Sequence, residues 1–206
     1  MLDDVEAMNA YQLDACSADI AACFSAHAGP DPWQGGQISV GQFAPVVVLS
    51  GRTGAKVMRP MHWGYPAPGK SPEMTAVGQM RWVSSVRNLD SPFWVGNLRH
   101  RELRCLVPMT EFPLPGGRSK ALQTCRLTSA KCFAVAGIWR DLTDMPVFAI
   151  LTTEPSAAFY PIEGGKAPAS VPAILATADW SRWLTGDWPD VRNLIRPYRA
   201  VDLAVD

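Results

Sequence analysis

The stretch from Arg81 to Pro108 constrains the fold more than any other part of the chain. It opens on a run carrying Trp82, Val83 and Val86, whose composition predicts a partly buried strand. Asp90 or Ser91 then reads as a helix N-cap, with Pro92 just inside the first turn, where a missing N–H has no consequence. After a basic turn the stretch closes on Arg104-Cys105-Leu106-Val107-Pro108, a compact apolar run that predicts a core strand. This layout sets Arg87 and Asn88 at the end of one strand, ahead of a helix N-terminus. Donors at such a corner can meet an anion such as a phosphate. Arg87 fits an ordinary surface or capping arginine equally well, and spacing alone leaves both readings open.

The rest of the chain alternates short apolar runs with glycine and proline turns. Apolar positions 13, 16, 20, 23 and 24 recur at threes and fours and predict a helix from Leu13 to Phe24, stopped by Gly29-Pro30-Asp31-Pro32. Phe43 to Leu49 reads as a buried strand, Gly51-Arg52-Thr53-Gly54 as its turn, and Ala55 to Trp63 as its hairpin partner. Trp63 then stands at the mouth of a proline-rich loop ending at Gly69, either as core packing or as a platform for a stacked base. Further strands are expected over Met109 to Leu114, Leu122 to Leu127, Cys132 to Trp139 and Val147 to Thr153. Pro115-Gly116-Gly117 and Asp141 to Asp144 are read as turns, and Pro161 to Pro172 as irregular. Trp180 and Trp183 share one face of a short helix from Ala178 to Leu184. Eight or nine strands against three or four short helices define an α+β chain. The expectation is a single domain built on a strongly curved mixed or antiparallel sheet, open-barrel-like.

Composition narrows the function classes. With 206 residues, 48% of them hydrophobic, the chain can bury a sizeable core. Its 19 basic and 19 acidic side chains cancel, so a nucleic-acid site must be a local patch and not a global field. No apolar run reaches the length of a membrane span, and the acidic start lacks a signal pattern, so a cytoplasmic location is expected, nucleoid-associated if the chain binds DNA. Five cysteines (16, 23, 105, 125 and 132), with no CxxC pair, argue against a disulfide framework or a zinc knuckle. Each has apolar neighbours and is expected to be a buried, reduced thiol. His27, His62 and His100 show no metal-ligand spacing, so neither metal nor cofactor is expected.

Several strings in order carry a resemblance. They are Met8-Asn9-Ala10-Tyr11, Met61-His62-Trp63-Gly64, Val86-Arg87-Asn88 followed by Ser91-Pro92-Phe93-Trp94, Arg104 to Pro108, Phe133 to Trp139, Leu151-Thr152-Thr153-Glu154, and Trp183-Leu184. Together they resemble the SOS response-associated peptidase family, also called abasic-site processing proteins, across residues 8 to 184, with 1–7 as an extension. The resemblance implies a compact domain whose curved sheet lines a positively charged groove for single-stranded DNA. It also implies a leading cysteine whose thiolate and α-amine close a thiazolidine on the aldehyde of an abasic sugar. An asparagine, a glutamate and a histidine assist it.

At those positions this chain departs from the family. The cysteine's place is taken by Met8, whose thioether has no ionisable proton, and seven residues precede it. Matched in the same way, the asparagine is Ser85, the glutamate two residues past Phe112 is Leu114, and the histidine is Pro168. Glu111 is no substitute, because it points to the face opposite 112 and 114. Cys16 has no α-amine to offer, and a thiol in apolar surroundings resists ionisation. No catalytic residue is therefore expected. What persists is binding equipment: Asn9, Trp63, Arg81, Arg87, Asn88 and Thr153 as DNA-binding residues. Arg59, Arg99, Arg101 and Arg104 read either as phosphate contacts or as solubilising charge. The expected function is a non-catalytic single-stranded or damaged-DNA binder of the SOS and DNA-damage response. The alternatives are an abasic-site crosslinker or peptidase using other residues, and an interaction module in which Trp94, Trp180, Trp183 and Trp188, if exposed, form an interface.

Overall fold

The structure, a computed structural model, describes residues 8–29, 32–67, 82–114, 123–143, 145–159, 168–198 and 202–205. Strand β1 (Ala10–Leu13) turns Tyr11 and Leu13 inward and precedes helix α1 (Ser17–Phe24). The helix expected from Leu13 thus starts later: Leu13 alternates as a strand residue, and Cys16 is the N-cap. Strand β2 (Gly36–Ser39) folds back on β1. The expected hairpin is present as β3 (Phe43–Leu49) and β4 (Lys56–Trp63), with Phe43 opposite His62. Short strands β5 (Tyr65–Pro66), β6 (Trp82–Val83) and β7 (Ser85–Val86) lead to helix α2 (Val95–Arg99). Next come β8 (Arg104–Met109), β9 (Glu111–Leu114), β10 (Gln123–Leu127), β11 (Phe133–Asp141) and β12 (Pro146–Thr153). The chain ends through β13 (Val171–Pro172), β14 (Ile174–Leu175), α3 (Trp180–Thr185), α4 (Trp188–Val191) and β15 (Leu203–Val205). The turn expected at 115–117 lies outside the described residues, as does much of the irregular 161–172 segment.

The curved sheet expected from the sequence closes on itself. In the order β12, β4, β3, β8, β11 and back to β12, five strands form a mixed barrel, with β12 and β4 parallel and the other pairs antiparallel. Barrel strands have both faces covered, which is why β8 and the middle of β12 are buried without alternation. At Gly137 a Cβ would come within 2.7 Å of Cys105 Sγ and Val107 Cγ2, so a glycine is needed for β11 to lie this close to β8.

A second sheet, β15-β10-β9-β1-β2, shares a long bent segment with the barrel, since β8 runs into β9 through Thr110. Thr110 fixes the bend: its N–H and hydroxyl both donate to the Gln12 carbonyl (2.9 and 3.0 Å), and Oγ1 accepts the Asp14 N–H at 3.0 Å. Phe112 packs against Phe133 and Phe159, joining the inner face of β9 to the start of β11 and the turn after β12.

Three expectations about side chains are corrected here. The tryptophans considered for an interface are mostly internal: Trp94, Trp180 and Trp183 are buried, with Trp180 stacked on Phe24 at 4.4 Å, and Trp188 is half-buried. Arg104, considered for phosphate contact, is 1% exposed and bonded to main-chain carbonyls. Cys105, Cys125 and Cys132 are buried as expected, but Cys16 is half-buried and Cys23 is exposed, because the shortened α1 turns position 23 outward.

Candidate functional site

The Arg87 corner is built by pairing β7 parallel to β12, with Ser85 beside Ile150 and Val86 beside Leu151. The Thr152 hydroxyl, buried, donates to the Val86 carbonyl at 3.4 Å. Arg87 and Asn88 therefore leave the barrel at the end of β12, next to the partly exposed Thr153. On the other side of β12, Thr153 pairs with Val171, which follows Pro168-Ala169-Ser170. Arg87 is exposed, and no hydrogen bond or ion pair engages it among the described residues. Asn88 is partly committed: its Oδ1 accepts the Asp90 N–H at 3.0 Å, forming a local turn. The helix expected at Ser91 begins only at Val95, after a turn in which the Ser91 carbonyl accepts the N–H groups of Trp94 and Val95. A five-residue helix beginning there offers no anion cradle to Asn88, so the charge at this corner is that of the Arg87 guanidinium.

Trp63 does not serve as a stacking platform. It is fully buried, edge-on to Tyr11 at 5.1 Å and parallel to Phe148 at 6.3 Å. Its Nε1–H donates to the Ser84 carbonyl at 3.0 Å, and that oxygen also accepts the Ile150 N–H. The indole is thus a post that holds the Ser84–Arg87 segment against β12. The aromatic surface open to solvent lies beside it, at the exposed Phe43 and the half-buried Trp82, with His62, 7% exposed, packed between them. His62 sits 4.2 Å from Trp82 and 5.6 Å from Phe43, and Phe43 is 53% exposed. Gly64, at φ +125°, allows this: a Cβ there would lie 2.8 Å from the Trp82 Cβ. Burial holds the His62 imidazole below its ordinary pKa, against backbone hydrogen bonds at Gly64 and Gly41 that pull it up, so the shelf carries no charge at neutral pH. The sequence signal for this shelf was the hairpin itself, since its register sets Phe43 across from His62.

Asn9 joins the same neighbourhood through main-chain bonds. It is exposed, and its carbonyl accepts the Val40 N–H at 3.0 Å; the next residue, Gly41, donates to the Trp63 carbonyl at 2.9 Å. Arg81 lies outside the described residues. Arg59 is held by Asp141 at 3.2 Å and lies over the Trp139 ring, whereas Arg99 and Arg101 are exposed.

The positions matched to the family's acid–base and nucleophilic groups hold a different set. Met8 packs half-buried against the core, and Ser85 is half-buried. Leu114 is 4% exposed and Pro168 is buried. The β1–β9 pairing sets Gln12 opposite Glu111. The expected alternation holds along β9, with Phe112 and Leu114 buried and Glu111 half-exposed. Among the described residues no group of His, Cys, Asp and Glu is arranged to hold a metal ion, and no helix is long and apolar enough to cross a membrane.

The sequence model of the SOS response associated peptidase (SRAP) family matches residues 11–206. The chain belongs to the SRAP family. Met8 and Asn9 stand just ahead of the matched SRAP segment. No curated protein matches the chain. Among solved structures it is similar to a protein from Bordetella bronchiseptica at 19% identity and TM-score 0.73, covering 96% of this chain and 97% of that one. A Bacteroides thetaiotaomicron protein matches at 18% identity and TM-score 0.73, covering 95% and 90%. A phage-related protein from B. bronchiseptica matches at 15% identity and TM-score 0.64, covering 96% and 92%. At these identities the likeness is one of fold.

Proposed function

We propose that this SRAP chain binds single-stranded or abasic DNA without reacting covalently with it. The contrast around β12 and β9 carries the reading. Arg87 is exposed and unpaired among the described residues, while Leu114 and Pro168 fill two of the chemistry-bearing positions with buried apolar side chains. A buried leucine and a proline can neither hold nor move a proton, and the Met8 thioether cannot add to an aldehyde. Arg87 supplies a phosphate contact, Thr153 beside it and the exposed Asn9 supply polar groups, and Phe43 with the half-buried Trp82 offers an apolar face to an unstacked base. Binding of this kind is weak to moderate, salt-dependent and tolerant of sequence. Membership of the SRAP family supports an SOS or DNA-damage role.

The test has two arms. Anisotropy titration of labelled single-stranded DNA at low salt should show saturable binding that weakens as salt is raised, and no binding at low salt rejects the proposal. Incubation with abasic single-stranded DNA followed by denaturing electrophoresis should show no shifted band. A heat-stable band would reject the non-covalent part of it.

A further inference from the structure

A second feature joins the end of α1 to the start of β11. Cys23 and Cys132 lie 109 positions apart in sequence, yet the Cys23 S–H reaches the Cys132 carbonyl at 3.5 Å. Cys23 is exposed in the last turn of α1, and Cys132 is buried immediately before β11. Phe133, the next residue, pairs with Met109 at the end of β8, which fixes Cys132 at the start of β11. One member of the pair faces solvent and the other stands directly behind it.

We propose that Cys23 and Cys132 form a peroxide-reactive dithiol, in which Cys23 is oxidised first and Cys132 resolves it to a disulfide. The neighbouring Cys132 thiol stabilises the Cys23 thiolate and lowers its pKa to about 7, against the opposing effect of burial. Cys132 shifts upward, through the neighbouring Cys23 thiol and through burial, and keeps its proton. The Cys23 sulfur attacks one oxygen of hydrogen peroxide; the O–O bond breaks, the departing hydroxide takes a proton, and water leaves behind a sulfenic acid. The Cys132 sulfur then gives up its proton and attacks the Cys23 sulfur; the S–O bond breaks and a second water departs. Two thiols and one peroxide yield one disulfide and two waters, with the sulfurs oxidised and the peroxide reduced. The product would tie the end of α1 to the start of β11. Cys105 and Cys125, both buried, are not part of the pair, and burial pushes the Cys125 thiol up to about 12.

The experiment treats the full chain with equimolar hydrogen peroxide, blocks the remaining thiols, digests without reductant and maps the peptides by mass. A linked pair containing Cys23 and Cys132, lighter by two hydrogens and lost on reduction, is expected, with Cys105 and Cys125 still blocked as thiols. Cys23→Ser should abolish it. Cys132→Ser should let a sulfenic acid accumulate at Cys23, trapped by dimedone; if that variant does not fold, the wild-type map and Cys23→Ser decide. The proposal is overturned if Cys23 stays reduced, if it proceeds to sulfinic or sulfonic acid with Cys132 free, or if it bridges to Cys16 or to a second chain.

Discussion

The Arg104 guanidinium lies over the Trp183 ring, 5.4 Å from its centroid, and donates from Nη1 to the carbonyl of that same tryptophan at 3.0 Å. Nη1 also reaches the Gly186 carbonyl at 2.7 Å and Nε the Leu98 carbonyl at 3.2 Å, while the Trp183 Nε1–H returns a bond to the Cys105 carbonyl at 2.9 Å. No carboxylate bonds this buried cation among the described residues. Its charge rests on carbonyls at the C-terminal ends of α2 and α3, where the helix dipole favours a cation. Arg104→Ala should therefore lower stability by about 2–4 kcal/mol, since it leaves buried carbonyls unpaired and opens a void. Arg104→Lys should fall between, having lost the fork that serves three acceptors at once. Urea unfolding checks this, and an unchanged midpoint in Arg104→Ala would show the clamp to be dispensable.

Asp90 and Arg192 form a two-pronged ion pair, at 2.8 and 2.7 Å, that ties the turn before α2 to the segment after α4. The hydrogen bond from Arg192 holds the Asp90 carboxyl below its ordinary value. A depressed carboxylate contributes stability above its unfolded pKa, and that contribution is lost as pH falls through the folded value. Both groups are exposed, so the effect is small and salt-screened. Titrating the Asp90 carboxyl by NMR should give a depressed value in the wild type and a normal one in Arg192→Ala. A normal value in both would mean that the pair is not kept in solution.

How far the sequence could be read depended on the range of the determining contacts. The β3–β4 hairpin, β8, β11 and β12 were legible because their apolar runs are bounded by turn residues and their partners are near in sequence or equally apolar. Leu13 and Cys23 were misassigned because a helical period drawn over five positions spans a strand, a loop and a helix. Arg104 could not be read as internal, because its acceptors come from residues as far away as Gly186. Trp63 was ambiguous for the same reason: the Ser84 carbonyl that holds it is visible only in the fold. The Cys23–Cys132 contact spans 109 positions and leaves no local trace. Arg87 was legible as a strand-end residue, and its lack of partners among the described residues was not.

Trp63 and Arg87 should respond oppositely to substitution. Trp63→Phe removes the indole donor and leaves a void, lowering stability by about 1–3 kcal/mol; with the Ser84–Arg87 segment less firmly held, affinity for single-stranded DNA falls slightly while the salt slope is unchanged. Arg87→Ala should leave stability within about 0.5 kcal/mol, weaken DNA binding, and make the log–log salt slope shallower by about 0.7, the value for one contact to a single strand. Parallel melts and salt titrations separate the two. Equal affinity and an equal slope in Arg87→Ala would remove this arginine from the interface.

Leu114 gives the sharpest test of whether this face can still accommodate proton-transfer chemistry. At 4% exposure, and on the same face of β9 as the buried Phe112, it sits where a carboxylate would have little water. Leu114→Glu should therefore raise the new carboxyl's pKa above the unfolded value of about 4.3. A raised pKa means that the folded state holds its proton longer than the unfolded chain does. The penalty is then smallest in acid, grows as pH rises past about 4.3, and levels off above the folded value at about 3–5 kcal/mol. Leu114→Gln, which cannot ionise, should lose stability by an amount that does not vary with pH over the same range. Urea midpoints of both variants from pH 4 to pH 8 decide the matter. If Leu114→Glu is as stable at pH 8 as at pH 4, the pocket admits water and can hold a charged carboxylate, and the case against acid–base chemistry at this position fails with it.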